Sequence, residues 1–184
     1  MNTIQSWARD HATLLVAGAL VVASVALTLG FACAVPLAAF AVIAAWTLRP
    51  AAAVAAMLAV WFANQVIGFA CLHYPTDAST LAWGAALGVI ALLTLGAAGA
   101  VLARIGGALG IVASFVAAFA AYQGSVYAAC LLSGTDVTHF TFAVVSRVFL
   151  INAASLGGPL ALRALWSRSA LGRDLEAAHA IRHA

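Results

Sequence analysis

LLVAGALVVASVALTLGFACAVPLAAFAVIAAWTL, Leu14 to Leu48, runs for 35 residues without one charged side chain. As a single helix at about 1.5 Å per residue it would measure about 52 Å, far more than the roughly 30 Å hydrocarbon core of a bilayer. Gly30 and Pro36 lie inside the stretch, and these are the residue types that least tolerate a helix interior. The run therefore reads as two membrane spans, Leu14–Leu29 and Phe31–Leu48, turning at the Gly30 to Pro36 boundary.

The rest of the chain agrees. Of 184 residues, 66% are hydrophobic and 7% charged, a balance that no water-soluble domain of this size can bury in one core. In hydrocarbon only helices and closed barrels satisfy the backbone. The apolar runs are continuous rather than alternating, and rich in Ala and Leu, which selects helices. Four more spans follow at Ala51–Leu72, Thr80–Ala103, Ala108–Leu132 and His139–Leu165. They are separated by Arg49-Pro50, by the polar loop His73–Ser79 with Pro75, by Arg104-Ile105-Gly106-Gly107 and by the loop Ser133–Thr138, all of them breaker or turn sequences. The expected fold is all-α, a polytopic bundle of about six transmembrane helices over residues 1–166 with a basic tail at 167–184. Arg9 ahead of the first run imitates a secretory signal, but the run is long enough to span and more spans follow at once, so it is read as retained.

All eight basic residues are arginines. With six spans, Arg9, Arg49, Arg104, Arg163, Arg168, Arg173 and Arg182 fall on one side and Asp77 and Asp136 on the other. Arginine retained on one side marks the cytoplasm, which gives both termini inside and a multi-pass protein of a bacterial-type cytoplasmic (inner) membrane. Trp7, Trp46 and Trp166 sit near the inner boundary, where aromatic belts form. In the tail, Leu171, Leu175, Ala178 and Ile181 oppose Arg168, Arg173, Glu176 and Arg182. It is either an interfacial amphipathic helix or a soluble extension.

Polar groups at membrane depth need a partner, a cavity or a function. The third span carries Trp61, Asn64 and Gln65, the fifth Tyr122, Gln123 and Tyr127, and the sixth Arg147 and Asn152. Counted inward from the outer loops, Gln65, Gln123 and Arg147 all come to roughly 12–15 Å. Equal depth suggests one outward-facing pocket with Arg147 as its fixed charge, suited to an anionic or amide-bearing solute, and with Trp61, Tyr122 and Tyr127 as flat walls. The alternative is that these groups hydrogen-bond between helices as packing glue. A second constellation, His73, Asp77, Asp136 and His139 with Cys33, Cys71 and Cys130, lies at the outer mouth. It offers ligand types for nickel or cobalt, although in no standard metal spacing.

Without lysine there is no GxxxxGK phosphate loop, and HExxH, CxxCH, GxSxG and paired intramembrane carboxylates are also missing. An enzyme is not expected, nor a cofactor, nor a nucleic-acid partner. The length, the six spans with both ends inside, the outward pocket and the small-xxx-small steps Ala19-xxx-Ala23 and Ala26-xxx-Gly30 together resemble the substrate-binding S components of energy-coupling factor vitamin transporters. That resemblance implies nutrient uptake driven by a transmembrane coupling subunit with two ATPases, with Ala19 and Ala23 on the surface that meets it. Beside the uptake reading stand a nickel or cobalt carrier and a non-transporting scaffold that helps assemble a membrane complex.

Overall fold

A computed structural model describes residues 3–31, 35–138 and 140–168, and side chains over 11–29, 35–138 and 140–161. The described residues form six helices: α1 Thr3–Phe31, α2 Leu37–Thr47, α3 Pro50–Ala70, α4 Ala78–Leu102, α5 Gly107–Ser133 and α6 Phe142–Arg168. Five of them are long and apolar enough to cross a membrane, so the chain is a polytopic helical bundle. The tail beyond Arg168, with its amphipathic pattern, lies outside the described residues, as do Cys33 and His139.

The remaining helix, α2, departs from expectation. The span expected over Phe31–Leu48 shortens to Leu37–Thr47, 11 residues, or about 16 Å, half the hydrocarbon core. Pro36 is the cause. Proline has no amide hydrogen and biases the residue before it away from helical geometry, and here Pro36 sits at φ −79°, ψ 65° with the Leu37 amide donating to the Val35 carbonyl at 2.8 Å. That is an inverse γ-turn, and α2 begins immediately below it.

This short helix is the axis of the bundle. It packs against all five others, and Ala38, Ala39, Ala41, Val42 and Ala44 are wholly buried. A helix apolar on every side belongs in such a position, and its alanines let the surrounding backbones come close. Around it α1 packs on α3, α3 on α4, and α4 on α5, while α6 lies against α2 and reaches α5 through Phe149, tilted against Phe115 and edge-on to Phe119. Hydrocarbon supplies no hydrophobic drive between helices, so tight fit and hydrogen bonds must hold them. The α3–α4 seam shows both: Trp61 Nε1 donates to the Gly84 carbonyl at 2.8 Å, and a methyl group on Gly88 would sit 2.9 Å from the Trp61 ring.

The helix ends follow local chemistry. Pro50 opens α3 at a position where its missing amide hydrogen costs nothing. Asp77 caps α4 by accepting from the Thr80 amide at 3.0 Å. Beyond α5, Gly134 takes φ +67°, and the Thr135 amide donates back to the Cys130 carbonyl at 2.9 Å, the closure that a left-handed glycine makes possible.

Candidate functional site

Because α2 is half-height, its amino terminus opens in the middle of the bundle. Asn152, ten residues into α6, and Tyr122, eleven residues before the end of α5, place that level roughly 15 Å below the outer helix ends. The first amides of a helix have no partner within it, and in a membrane water cannot serve. Asn152 serves instead. Its Oδ1 accepts from the Ala38 amide at 3.1 Å and the Ala39 amide at 3.2 Å, while its Nδ2 donates to the Val148 carbonyl at 2.9 Å. With 1% of its surface exposed, Asn152 is a buried cap.

Directly above lies a cavity of about 90 Å³, lined by Val35, Leu37, Trp61, Asn64, Leu87 and Tyr122. Trp61 presents its ring with its N–H already given to Gly84. Asn64 Nδ2 donates to the Val60 carbonyl at 2.8 Å and to Ser24 Oγ, and its Oδ1 accepts from Thr28 Oγ1, which also reaches the Ser24 carbonyl at 2.9 Å. Asn64 thus ties α3 to α1 and keeps one acceptor lone pair for the cavity. No Asp, Glu, His, Lys or Arg side chain lines it.

Three of the eight residues expected to form one pocket meet here, Trp61, Asn64 and Tyr122, with Asn152 one step below. The other four do not line this cavity. Gln65 turns into the α3–α4 seam, where a methyl group on Gly84 would come 2.6 Å from its Oε1. Gln123 is half-buried on α5 away from the cavity, and Tyr127 is exposed, edge-on to Phe140 at 5.2 Å. Arg147 is exposed in a separate groove of about 300 Å³ with Leu27, Ile151, Ala154 and Ser155. It has no hydrogen bond or ion pair with any described residue.

The single pocket around Arg147 is therefore not formed, and the reason is angular. Successive residues are about 100° apart around a helix, so Arg147, five before Asn152, points about 140° away from it. The same offset separates Tyr127 from Tyr122, and about 100° separates Gln65 from Asn64 and Gln123 from Tyr122. Equal depth did not mean equal direction.

At the outer mouth, Asp77 accepts from the amide and hydroxyl of Thr80 and Asp136 from those of Thr138. The Thr80 bonds hold the Asp77 carboxyl below its usual pKa. Among the described residues no three His, Cys, Asp or Glu side chains assemble as a metal site. His73 and Cys71 are exposed there and Cys130 is buried.

Sequence reasoning passed over Ser24 and Thr28, although their four-residue step puts two hydroxyls on one face of α1. It also passed over Gly84-xxx-Gly88, a close-approach spacing of the kind expected in membrane helices. No family model, curated protein or solved structure matches the chain.

Proposed function

We propose that this membrane protein binds a small, neutral, amide-bearing solute in the cavity above α2. The observation that carries the reading is the helix that starts at mid-bilayer beneath a cavity edged by Trp61, Asn64 and Tyr122. Irregular backbone at membrane depth is tolerated only where protein encloses it or a cavity uses it, and half-helices of this kind build solute sites in secondary transporters. The absence of Asp, Glu, His, Lys and Arg side chains from the lining favours a dipolar solute over an anion. At about 90 Å³ the cavity suits a ligand well below the roughly 300–1,000 Å³ of drug-sized sites.

Such a protein belongs to uptake as a solute-binding subunit driven from outside, like the S components it resembles. Ala19 is exposed on α1 and available to a coupling subunit, whereas Ala23 packs against the core. Trp61 is a built-in reporter. Titrating detergent-solubilised protein with acetamide should quench its fluorescence saturably, acetate should not, and both Trp61→Phe and the cavity-filling Leu87→Phe should remove the response. Equal responses to acetamide in the Leu87→Phe protein would refute the site.

A second reading, the assembly scaffold, is favoured by one observation: Arg147 faces outward from the bundle without a described partner, as a residue awaiting an acidic group on a neighbouring helix would. Copurification separates the two. Loss of a bound envelope or electron-transfer complex in Arg147→Gln, with acetamide binding absent in the wild type, would establish the scaffold instead.

A further inference from the structure

A larger concavity lies at the opposite end of the bundle from the cavity above α2. It is an open groove between the inner halves of α3 and α4, of about 590 Å³, floored by Ala45 and Leu48 at the end of α2. Its walls include Val54, Leu92 and Leu95, and no ionisable side chain lines it.

Helix α4 uses glycine in two different ways, and the contrast identifies the groove as open by construction. Near the outer end a methyl group on Gly84 or Gly88 would strike α3 at 2.6 Å or 2.9 Å, so those glycines bring the two helices together. Gly96 and Gly99 line the groove, and a methyl group on either would meet nothing within 4 Å. No neighbouring helix fills the space beside them, and the smooth surface they leave stays open.

Two cations stand at the rim. Arg49 lies between the lining residues Leu48 and Pro50, and Arg104 follows the lining residue Ala103. Both are exposed, and neither side chain bonds to a described residue. Among the described side chains the acidic residues are Asp77 and Asp136, and both sit in the loops at the far ends of α3 to α6. Planar guanidinium groups hold phosphate oxygens through paired hydrogen bonds, and basic pockets between helices on the arginine-rich side of a membrane take anionic lipid headgroups.

We propose that this groove is a binding site for one anionic phospholipid of the inner leaflet. Arg49 and Arg104 hold its phosphate, and an acyl chain lies along Gly96, Gly99 and Leu95. A lipid is favoured over a neighbouring helix because the walls offer apolar surface for a chain while the charge is confined to headgroup depth.

The test is native mass spectrometry of the full chain titrated with phosphatidylglycerol, phosphatidylcholine and, as a chainless probe, glycerol phosphate. One phosphatidylglycerol per chain is expected to bind in preference to phosphatidylcholine. Its affinity should fall roughly five-fold for Arg49→Gln or Arg104→Gln and roughly 25-fold for the two together. Gly99→Leu, which fills the groove from its α4 wall and leaves the charge, should also abolish retention, and glycerol phosphate should not compete. Equal binding of the two lipids, an unchanged affinity in the double arginine variant, or competition by glycerol phosphate would each overturn the proposal. Because both arginines are exposed, their variants remain a valid test even if Gly99→Leu fails to fold.

Discussion

Replacing Asn152 by leucine separates the hydrogen-bonding role of this residue from its volume. The two side chains have the same number of heavy atoms and the same branch at Cγ, so Asn152→Leu leaves no void and removes the acceptor shared by the Ala38 and Ala39 amides. A buried donor left without a partner costs about 1–3 kcal/mol, which for two amides gives about 2–6 kcal/mol. Polar contacts inside membrane proteins measure lower, averaging about 0.6 kcal/mol each, because the unfolded helices also find partners in the bilayer. Here the alternative partners are few: the Pro36 carbonyl already accepts from Phe40 and the Val35 carbonyl from Leu37. The expected loss is therefore about 2–4 kcal/mol in reversible unfolding by SDS from mixed micelles. Asn152→Ala should lose more, because it adds a void to the missing bonds. Hydrogen exchange gives a second readout. The Ala38 and Ala39 amides should lose protection in Asn152→Leu while the amides of α4 keep theirs. If Asn152→Leu unfolds within about 0.5 kcal/mol of wild type and Ala38 and Ala39 stay protected, the buried-cap account of α2 is wrong.

Other outcomes follow from the same geometry. Gly88→Ala places a methyl group 2.9 Å from the Trp61 ring and should cost about 1–3 kcal/mol by overpacking; combining it with Trp61→Leu should recover part of that loss in a double-mutant cycle. Arg147→Leu removes an exposed cation from a membrane-spanning helix, so insertion measured with a glycosylation reporter should improve, by up to about 3 kcal/mol if the residue were at the bilayer centre and by less at its actual depth. The acetamide response should be unaffected, because Arg147 does not line the α2 cavity. Asp77 has a lowered pKa in the folded state, so its cap supports α4 above the ordinary aspartate range and is lost as pH falls through the folded pKa. The protection of the Thr80 amide, taken relative to its intrinsic exchange rate at each pH, should fall on acidification in the wild type, and Asp77→Asn, which still caps, should flatten that pH dependence.

Length and hydropathy made the five long helices legible, and the helix ends fall within a few residues of the expected ones for α3, α4 and α5. The break at Gly30 to Pro36 was legible too, but its consequence was not. Proline predicts where helical hydrogen bonding stops; it does not say whether the chain restarts at the membrane surface or halfway down. Asn152 contains the missing clue. An amide side chain in mid-span is expensive unless something needs it, and a helix beginning at that depth presents two such needs in Ala38 and Ala39. Read together, a proline and an asparagine at one depth on different spans indicate a capped half-helix, whereas read separately each looked like an isolated irregularity.

The candidate site was half legible for a related reason. Counting from a loop gives depth to within a few ångströms, since rise per residue is nearly constant, but direction around the axis turns by about 100° with every residue. Depth alone therefore gathered Gln65, Gln123 and Arg147 into a pocket they do not share. One residue of known facing on each helix removes the ambiguity: Trp61 faces α4 through Gly84, and Asn152 faces α2. With Asn152 inward, Arg147 must lie about 140° away on the outer flank of α6. A lone charge on that flank and a cavity without charge at the centre are then two consequences of one helix rotation. That is why the proposed solute site rests on Trp61, Asn64 and Tyr122, and why a ligand for Arg147 must approach from beside the bundle and not through it.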